Sequence, residues 1–333
     1  MKLIVQICCF NEETTLPQVI ADLPRELPGV DQVEFLVIDD GSTDQTVAVA
    51  HRLGVHHVYP LGQKRGLAVA YMTGITKALE LGADIIVNTD GDNQYNADGL
   101  GDLIAPILAG RLDIVVGTRP IDDIEHFSPL KKRLQRWGSR VVGQFAGVHL
   151  PDMTSGFRAY SAEAAMRLHI FSRYTASLEI IIQAGRMNMR MGSIDIQVNP
   201  KTRESRLISS SGRYVWRQAW IIMRSYVTYK PLRTFCYAAT APILLGGGLC
   251  VRFLGHYLHG NGIGHIQSLI LAAILLIAAF LMIVLGIIAD LLSTNRHLIQ
   301  EAIFLQRKSI YHRDETPVPT PEEPAQLTMS AQS

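Results

Sequence analysis

Residues 84–94 read DIIVNTDGDNQ, and this stretch decides the fold class of the chain. Residues 84–88 form a short apolar run of the kind found in parallel strands that are covered on both faces. The run leads directly into the carboxylates of Asp90 and Asp92. Ligands of open parallel sheets bind beyond the carboxyl ends of the strands. The stretch therefore predicts a buried strand with a polar site at its end.

Segments on both sides of this stretch alternate between strand and helix patterns. Short runs rich in Ile and Val predict further strands at 3–10, 34–39, 57–60, 113–116 and 192–198. Helical patterns occupy the residues between them, at 14–22, 44–53, 66–81 and 98–109. This alternation predicts an α/β fold with an open, mostly parallel sheet and helices on both faces.

Asp90 and Asp92 are the first candidate site residues. They are one residue apart at a strand end, so both carboxylates can reach one hard divalent cation. Such a cation neutralises a diphosphate and stabilises it as a leaving group. The motif alone leaves a solvated Asp-Gly turn open as the alternative.

Polar segments also follow other strands of the predicted sheet. They are Phe10-Asn11-Glu12-Glu13, Asp39-Asp40-Gly41-Ser42-Thr43-Asp44 and Gly117-Thr118-Arg119. Because the carboxyl ends of parallel strands meet at one edge, we expect acids from three strands in one crevice. Their mutual repulsion would be relieved by a metal and by hydrogen-bond donors from a base and ribose. Arg119 in the same crevice suits a phosphate.

Composition and charge indicate a membrane partner. The chain has 333 residues, of which 48% are hydrophobic and 18% charged, with a net charge of +1. Arg and Lys concentrate in residues 131–233, beside apolar segments, which suggests a surface that faces phosphates or anionic head groups. The four cysteines contain no CxxC spacing, so neither a disulfide framework nor a zinc site is indicated.

Two long apolar segments predict a transmembrane hairpin. Residues 235–251 and 266–292 are almost free of charge, and the second reaches about 40 Å as a helix, enough for a ~30 Å hydrocarbon core. A buried hairpin of a soluble protein is the alternative. Arg and Lys flank the pair on both outer sides and are missing from the short linker at 256–265, while Arg252 follows the first segment and can extend its long side chain to the interface. The positive-inside rule therefore places the globular domain and both termini in the cytoplasm, on a multi-pass protein of the cell membrane.

Residues 131–140 are a second basic feature. Arg133, Arg136 and Arg140 share one face of a predicted helix, and we interpret that face as one that meets a lipid phosphate. An ordinary solvated face is the alternative.

Five motifs in order resemble family 2 glycosyltransferases of the GT-A fold. They are FNEE at 10–13, DDGSTD at 39–44, DGDNQ at 90–94, GTR at 117–119 and DMTSGFRAY at 152–160. More narrowly, the chain resembles the polyprenyl-phosphate type, which includes dolichyl-phosphate mannose synthases and bacterial undecaprenyl-phosphate glucosyltransferases. The resemblance covers roughly residues 1–310. It implies a Rossmann-like GT-A domain followed by a two-helix transmembrane hairpin.

The resemblance also implies a set of site residues. Asp92 and Gln94 would hold Mg²⁺ or Mn²⁺, and the catalytic group would be Asp90, Asp92, Asp152 and Arg119. The nucleotide-sugar would contact Phe10, Glu12, Asp39, Asp40, Asp90, Arg119 and Arg203. The acceptor phosphate would contact Arg133, Arg136, Ser139 and Arg206.

Asp152 is better suited to orientation than to base catalysis. A phosphate monoester is already an anionic nucleophile near pH 7, so its attack needs no strong base. We therefore expect Asp152 to orient the acceptor or its basic partners. The site also offers no second nucleophile across from the acceptor, which predicts a metal-dependent transfer with inversion at the anomeric carbon.

The expected domain organisation has five parts. They are a cytoplasmic GT-A domain at 1–212, a basic amphipathic interfacial helix at 213–233, the hairpin at 234–292 with helices at about 234–255 and 266–292, a cytoplasmic juxtamembrane helix at 293–313 and a disordered tail at 314–333. Residues 199–212 carry few apolar side chains, and we expect them to close over the donor as a lid.

The expected product is a polyprenyl-phospho-sugar on the cytoplasmic leaflet. UDP-glucose is preferred as donor, with GDP-mannose as the alternative. The partners implied are the nucleotide-sugar, polyprenyl phosphate, the membrane and a downstream flippase or lipid-phosphosugar-using glycosyltransferase, with no nucleic acid and with a homo-oligomer left open.

Two other functions remain as alternatives. A processive polysaccharide synthase would carry a Gln-x-x-Arg-Trp motif, whereas Gln135-Arg136-Trp137 has a different spacing. A non-catalytic membrane protein for nucleotide sensing or assembly predicts a degraded Asp90 and Asp92 pair, and the pair is intact.

Overall fold

A computed structural model describes residues 1–119, 143, 147–148, 150–170, 176–199, 223, 227, 230–259 and 266–313. Seven strands form one sheet in the order β3-β2-β1-β4-β6-β5-β7. They are β1 Lys2–Cys9, β2 Gln32–Asp39, β3 His57–Pro60, β4 Ile85–Asp90, β5 Ile114–Thr118, β6 Arg158–Ser161 and β7 Met191–Asp195. Every pairing is parallel except those of β6, which lies antiparallel between β4 and β5.

Helices cover both faces of the sheet. In chain order they are α1 Leu16–Asp22, α2 Thr46–Arg52, α3 Leu67–Glu80, a 3₁₀ turn Ala97–Gly99, α4 Leu100–Leu108, α5 Ala162–Arg167, α6 Ala176–Arg186, α7 Pro231–Leu258 and α8 Ile266–Arg313. The predicted fold class, a mostly parallel α/β sheet followed by a helical hairpin, is confirmed.

Alternate side chains of β1 pack into two core layers, one on each face of the sheet. Leu3, Val5 and Ile7 join the cluster that contains α1 and α4, whereas Ile4 and Cys8 join the cluster that contains α3 and α5. Successive side chains of a strand point to opposite faces, so a strand covered on both sides reads as one continuous apolar run. Full burial of one such side chain is worth about 1.5–3 kcal/mol.

Small residues form the contact between α7 and α8. Ala239 and Gly246 on α7 are buried and lie seven residues apart, as do Ala272, Ala279 and Gly286 on α8. A Cβ atom added at Gly286 would lie 2.9 Å from the Cβ of Phe235. Small side chains at this spacing let two helices approach closely in lipid. Gly247 and Gly248, by contrast, face open space.

The outer surface of the hairpin is apolar. Leu244 is 75% exposed and Phe280 is 65% exposed. Both helices are long and apolar enough to cross a membrane by length and composition. The second helix continues without interruption to Arg313, so residues 293–313, which we expected as a separate juxtamembrane helix, are its extension. Most of 213–229 lies outside the described residues, and 231–233 belong to α7.

The extension of α8 packs against the α/β domain at α5. Arg167 forms an ion pair with Glu301 at 3.2 Å and lies over the ring of Phe304, 3.7 Å from its centroid. Arg307 donates from Nη1 to the carbonyl oxygen of Met166 at 3.2 Å. The α/β domain and the hairpin are therefore joined by side-chain contacts.

Candidate active site

The polar residues predicted from strand ends meet at the carboxyl edge of the sheet. Cys9 is opposite Asp39 in the pairing of β1 and β2, and Cys8 is opposite Asp90 in the pairing of β1 and β4. A Cβ atom added at Gly91 would lie 3.3 Å from Cγ of Glu12. The three acidic strand ends therefore occupy one crevice, as the sequence predicts.

Hydrogen bonds join the loops after β1 and β2. Asn11, in the left-handed region with a φ of 57°, accepts from the backbone N–H of Thr43 at 2.8 Å. Its own N–H donates to Ser42 Oγ at 2.8 Å, and the N–H of Glu12 donates to Thr46 Oγ1 at 2.8 Å. The two loops thus form one rigid wall of the crevice.

Asp39 and Asp40 are buried acids with backbone donors. Asp39 accepts from the N–H of Ser42 at 3.1 Å. Asp40 accepts from the N–H of Arg65 at 2.7 Å and from that of Gly66 at 3.0 Å, at the start of α3. Asp40 therefore holds the loop before α3 in place, and its predicted contact with the base stays a prediction.

Phe10, which follows β1, and Lys64, which precedes α3, contact each other beside this wall. The Nζ atom of Lys64 is 3.5 Å from the centroid of the Phe10 ring, a cation–π distance. A flat ring and a cation at the edge that carries Asp39 are suited to an anionic nucleotide.

Asp90 is held on the opposite side by the segment before β6. A Cβ atom added at Gly156 would lie only 2.7 Å from Oδ2 of Asp90, so the backbone of Gly156 lies directly against this carboxylate. Gly156 is fixed in turn, because its N–H donates to the hydroxyl of Tyr95 at 2.8 Å and its carbonyl accepts from Nδ2 of Asn88 at 2.7 Å.

The pKa of Asp90 reflects its burial and the crowding of acidic side chains in the crevice. Burial, followed by the nearby charge of Asp92, raises the pKa of Asp90 to about 7, although Arg119 and Arg158 oppose the rise. Two carboxylates in one crevice cannot both ionise without a compensating charge.

Arg119 follows β5 and forms an ion pair with Asp152. Its Nε donates to Oδ2 of Asp152 at 2.7 Å, and its Nη2 donates to Oγ1 of Thr154 at 3.0 Å. Oδ1 of Asp152 accepts from the backbone N–H of Thr154 at 3.0 Å and from its hydroxyl at 2.8 Å. Burial alone would raise the pKa of Asp152, but Arg119 and these hydrogen bonds hold it below its ordinary value.

Asp152 is fully buried, with 0% exposure. Both of its oxygens are engaged, Oδ2 by Arg119 and Oδ1 by Thr154. This geometry fits the orienting role that we expected for Asp152, and the role itself stays a prediction.

Arg158 was missed as a site-forming residue. It is 1% exposed and donates to the carbonyl oxygens of Met153, Ser155 and Ser177, each at 2.8 Å. These bonds fix the turn that carries Asp152 and Gly156. No local sequence pattern signals this role, because the bond to Ser177 joins residues 19 positions apart and depends on the tertiary fold.

Comparison with known proteins identifies the family. The sequence profile described as "Glycosyl transferase family 2" matches residues 4–168. The chain is 30% identical over 216 residues to the UDP-N-acetylglucosamine--dolichyl-phosphate N-acetylglucosaminyltransferase of Methanococcus voltae, covering 57% of this chain and 83% of that relative. The chain belongs to glycosyl transferase family 2.

Other relatives agree with this membership. The glycosyltransferase is 29% identical over 176 residues to the polyprenol monophosphomannose synthase of Mycolicibacterium smegmatis, covering 51% of this chain and 65% of the relative. Its fold is similar to that of glucosyl-3-phosphoglycerate synthase from Mycobacterium tuberculosis, solved in complex with Mn²⁺, UDP-glucose and phosphoglyceric acid. The TM-score is 0.52 at 19% identity, over 68% of this chain and 78% of that chain. The expected family and GT-A fold are thus confirmed.

The glycosyltransferase has residues that fit a divalent metal. Asp92 and Gln94 offer a carboxylate and an amide oxygen on one turn, in which Asp92 Oδ1 accepts from the N–H of Gln94 at 3.3 Å. Within the described ranges, no three His, Cys, Asp or Glu side chains come together as a metal site. Mg²⁺ is commonly bound by one or two carboxylates together with waters and substrate phosphates. The oxygen donors and the crowding of Asp90 and Asp92 therefore fit a metal that binds together with a diphosphate.

A further contact holds the loop that carries Asp92 and Gln94. Asn199 donates from Nδ2 to the carbonyl oxygen of Asn93 at 3.1 Å, and its N–H donates to that of Gln94 at 2.9 Å. This contact was not predicted from the sequence of the glycosyltransferase.

Several predicted residues lie outside the described ranges. They are Arg133, Arg136, Ser139, Arg203 and Arg206, together with the basic segment 131–140, the lid at 200–212 and the tail from 314. Their roles stay predictions.

Proposed function

We propose that the protein transfers a sugar from a nucleotide diphosphate sugar to polyprenyl phosphate at a membrane. One observation carries the proposal: the acidic crevice of a family 2 glycosyltransferase, with Asp90, Asp92 and the buried pair of Arg119 and Asp152, precedes an apolar helical hairpin in the same chain. Relatives named for dolichyl phosphate and polyprenol as acceptors support the choice of lipid.

The donor would lie along the wall formed by the loops after β1 and β2. Phe10, Glu12, Asp39 and Asp40 are the residues proposed for the nucleoside, and Asp92 and Gln94 would hold Mg²⁺ or Mn²⁺ against the diphosphate. The bound metal neutralises the charge that develops on the departing diphosphate. Asp90 lies beside this position, against Gly156, where it can contact the sugar or the donor phosphate.

The acceptor needs little activation from the protein. An oxygen of the lipid phosphate would form the bond to the anomeric carbon while the bond to the diphosphate breaks, and the diphosphate would leave with the electron pair. The phosphate attacks as an anion, so no side chain has to remove a proton. Arg119, and Arg133, Arg136, Ser139 and Arg206 from the resemblance, would hold the phosphates.

A single displacement predicts inversion. The buried carboxylate of Asp152 is turned to Arg119 and Thr154, which leaves it unsuited to attack a sugar. An α-linked donor would therefore give a β-linked lipid phosphosugar.

The hairpin would anchor the protein with its catalytic domain in the cytoplasm, as the positive flanks indicate. The product would then form on the cytoplasmic leaflet. A flippase or a glycosyltransferase that uses lipid phosphosugars would consume it. UDP-glucose is the donor that we propose on the resemblance, with GDP-mannose as the alternative.

The test uses the full chain in liposomes with undecaprenyl phosphate. Radiolabelled UDP-glucose, UDP-N-acetylglucosamine and GDP-mannose are supplied in turn, with Mg²⁺, Mn²⁺ or EDTA, and the lipid product is analysed for its anomeric linkage by NMR. We expect one labelled lipid, β-linked and absent in EDTA. Asp92→Ala should abolish its formation, while Asp98→Ala, which removes an exposed aspartate nearby, should not.

Three outcomes would contradict parts of the proposal. A growing polysaccharide would favour a processive synthase, and the absence of transfer from every donor would favour a non-catalytic protein. Normal turnover in EDTA would remove the metal from the proposal.

A further inference from the structure

Arg119, Asp152 and Thr154 form a closed ring of hydrogen bonds. Arg119 donates from Nε to Asp152 Oδ2 at 2.7 Å and from Nη2 to Thr154 Oγ1 at 3.0 Å. The hydroxyl of Thr154 donates to Asp152 Oδ1 at 2.8 Å. The hydroxyl is therefore a donor to the carboxylate and an acceptor from the guanidinium at the same time.

This arrangement differs from a fork-to-fork pair of Arg and carboxylate. In such a pair, both carboxylate oxygens accept from the same guanidinium. Here Oδ1 of Asp152 is occupied by the N–H and hydroxyl of Thr154, so Asp152 offers Arg119 only Oδ2. One hydrogen bond at Nε leaves a guanidinium able to turn about that contact, whereas a second bond at Nη2 fixes its plane.

The remaining amino group of Arg119 is left for a ligand. Its Nη1 makes no hydrogen bond within the part of the chain that the structure describes. The charge of Arg119 also acts on Asp90 in the crevice. An immobile guanidinium with one open amino group beside a donor site is suited to an oxyanion of phosphate.

We infer that Thr154 is a positioning residue, whose hydroxyl fixes the plane of Arg119 so that Nη1 binds a phosphate oxygen during transfer. The inference rests on the proposed function and gives a role to Thr154, a residue of the 152–160 motif to which neither the resemblance nor the family comparison assigned one. The phosphate belongs to the donor or to the lipid acceptor, and the kinetic constants for the two substrates distinguish these sources.

The test compares three threonine variants. Thr154→Val keeps the shape of the side chain and removes the hydroxyl, while Thr154→Ser keeps the hydroxyl. Thr73→Val is the matched control, since Thr73 in α3 donates its hydroxyl to the carbonyl of Val69 at 2.9 Å, away from the crevice. Each variant is assayed in the liposome system for kcat and for KM of donor and lipid, and its thermal unfolding is recorded.

We expect Thr154→Val to lower kcat/KM about 10- to 100-fold, because a misplaced catalytic contact typically costs up to that amount. Thr154→Ser should recover most of the loss, and Thr73→Val should match the wild type. A rise in KM for nucleotide-sugar alone assigns the phosphate to the donor, and a rise in KM for undecaprenyl phosphate alone assigns it to the lipid. A fall in kcat with both KM values unchanged means that the contact forms only in the transition state.

A double-mutant cycle separates positioning from stability. In an Arg119→Lys background the planar fork is absent, so Thr154→Val should cause little further loss. An equal loss in both backgrounds would overturn the inference, as would a Thr154→Val enzyme as active as Thr73→Val.

Failure of the proposed function would look different, since the wild type itself would then transfer no sugar to polyprenyl phosphate. In that event the ring is tested by NMR of the arginine side chains. The Nε–H of Arg119 should exchange slowly in the wild type and in Thr154→Ser, and faster in Thr154→Val. Equal exchange rates in all three would refute the ring.

Discussion

Replacing Gly156 by alanine should lower turnover ~100-fold while leaving the enzyme folded. The added Cβ would lie 2.7 Å from Oδ2 and 3.1 Å from Oδ1 of Asp90. Gly156 is not among the glycines with a positive φ, so its backbone accepts alanine. The whole effect of the substitution therefore falls on the contact with Asp90.

Whether Gly156 or the carboxylate of Asp90 moves depends on the contacts that hold each of them in place. Gly156 is fixed by Tyr95 and Asn88, and the turn around it is fixed by three bonds from Arg158. Asp90 ends in a carboxylate that can rotate. An ordinary contact between these atoms is about 3.5 Å, so the carboxylate must retreat by roughly 0.5–1 Å. A displacement of about 1 Å at a catalytic group can lower turnover ~100-fold.

The assay is transfer of labelled sugar to undecaprenyl phosphate, with thermal unfolding recorded in parallel. Gly101→Ala is the control, because its Cβ would lie an ordinary 3.7 Å from Leu27 in the first turn of α4. The control should keep full activity and gain about 0.5–1 kcal/mol of stability. If Gly156→Ala were as active as Gly101→Ala, the reasoning about Asp90 would be refuted.

Two other predictions concern stability and topology. Hydrogen bonds from Arg190 hold the pKa of Asp113 below its ordinary value. The pair therefore stabilises the folded state at pH values above the pKa of Asp113 in the unfolded chain. This stabilisation is lost as the pH falls through the pKa of Asp113 in the folded state. The difference in unfolding temperature between wild type and Asp113→Asn should therefore shrink below about pH 4, and a constant difference would contradict the assignment. The topology test uses a background in which Cys236 and Cys250 are replaced by serine. In that background, Asn261→Cys should react with a membrane-impermeant thiol reagent added outside the cell, and Ser210→Cys should not. The reverse labelling would contradict the proposed orientation.

The sheet could be predicted because its central strands carry their own signal. The runs that became β1, β2 and β4 are mostly apolar, apart from Gln6 and Glu34, and end in polar residues, which suits strands covered on both faces. Strand β6 could not be predicted in this way. Its four residues, from Arg158 to Ser161, contain no apolar run, and its pairing depends on the neighbours β4 and β5.

The clustering of the acidic strand ends was predictable from the sequence, but their individual contacts were not. The sequence places Asp39 and Asp40 at one strand end. Asp40, however, accepts from the backbone N–H groups of Arg65 and Gly66, which lie 25 and 26 residues further along the chain. The ring around Asp152 and the inward direction of Arg158 likewise depend on tertiary contacts. Hydrophobic periodicity carries no information on such contacts.

The continuity of α8 was not predicted for a different reason. We expected a span at 266–292 and a juxtamembrane helix at 293–313, whereas one helix runs through both. Residues 293–313 contain neither Gly nor Pro, so nothing in them interrupts a helix. Hydropathy marks the limit of an apolar surface and not the end of a helix.

In the proposed membrane arrangement, the uninterrupted α8 would set the height and the rotation of the α/β domain above the bilayer. From Leu292 to Phe304, where Arg167 lies over the ring, the helix rises about 18 Å. Removing or adding one residue in this interval would shorten or lengthen the rise by about 1.5 Å and turn Phe304 by roughly 100° away from Arg167. In that arrangement the crevice would be kept at a constant level above the lipid head groups. Polyprenyl phosphates with tails of different length would place their phosphate at that same level, so one helix length would suit all of them.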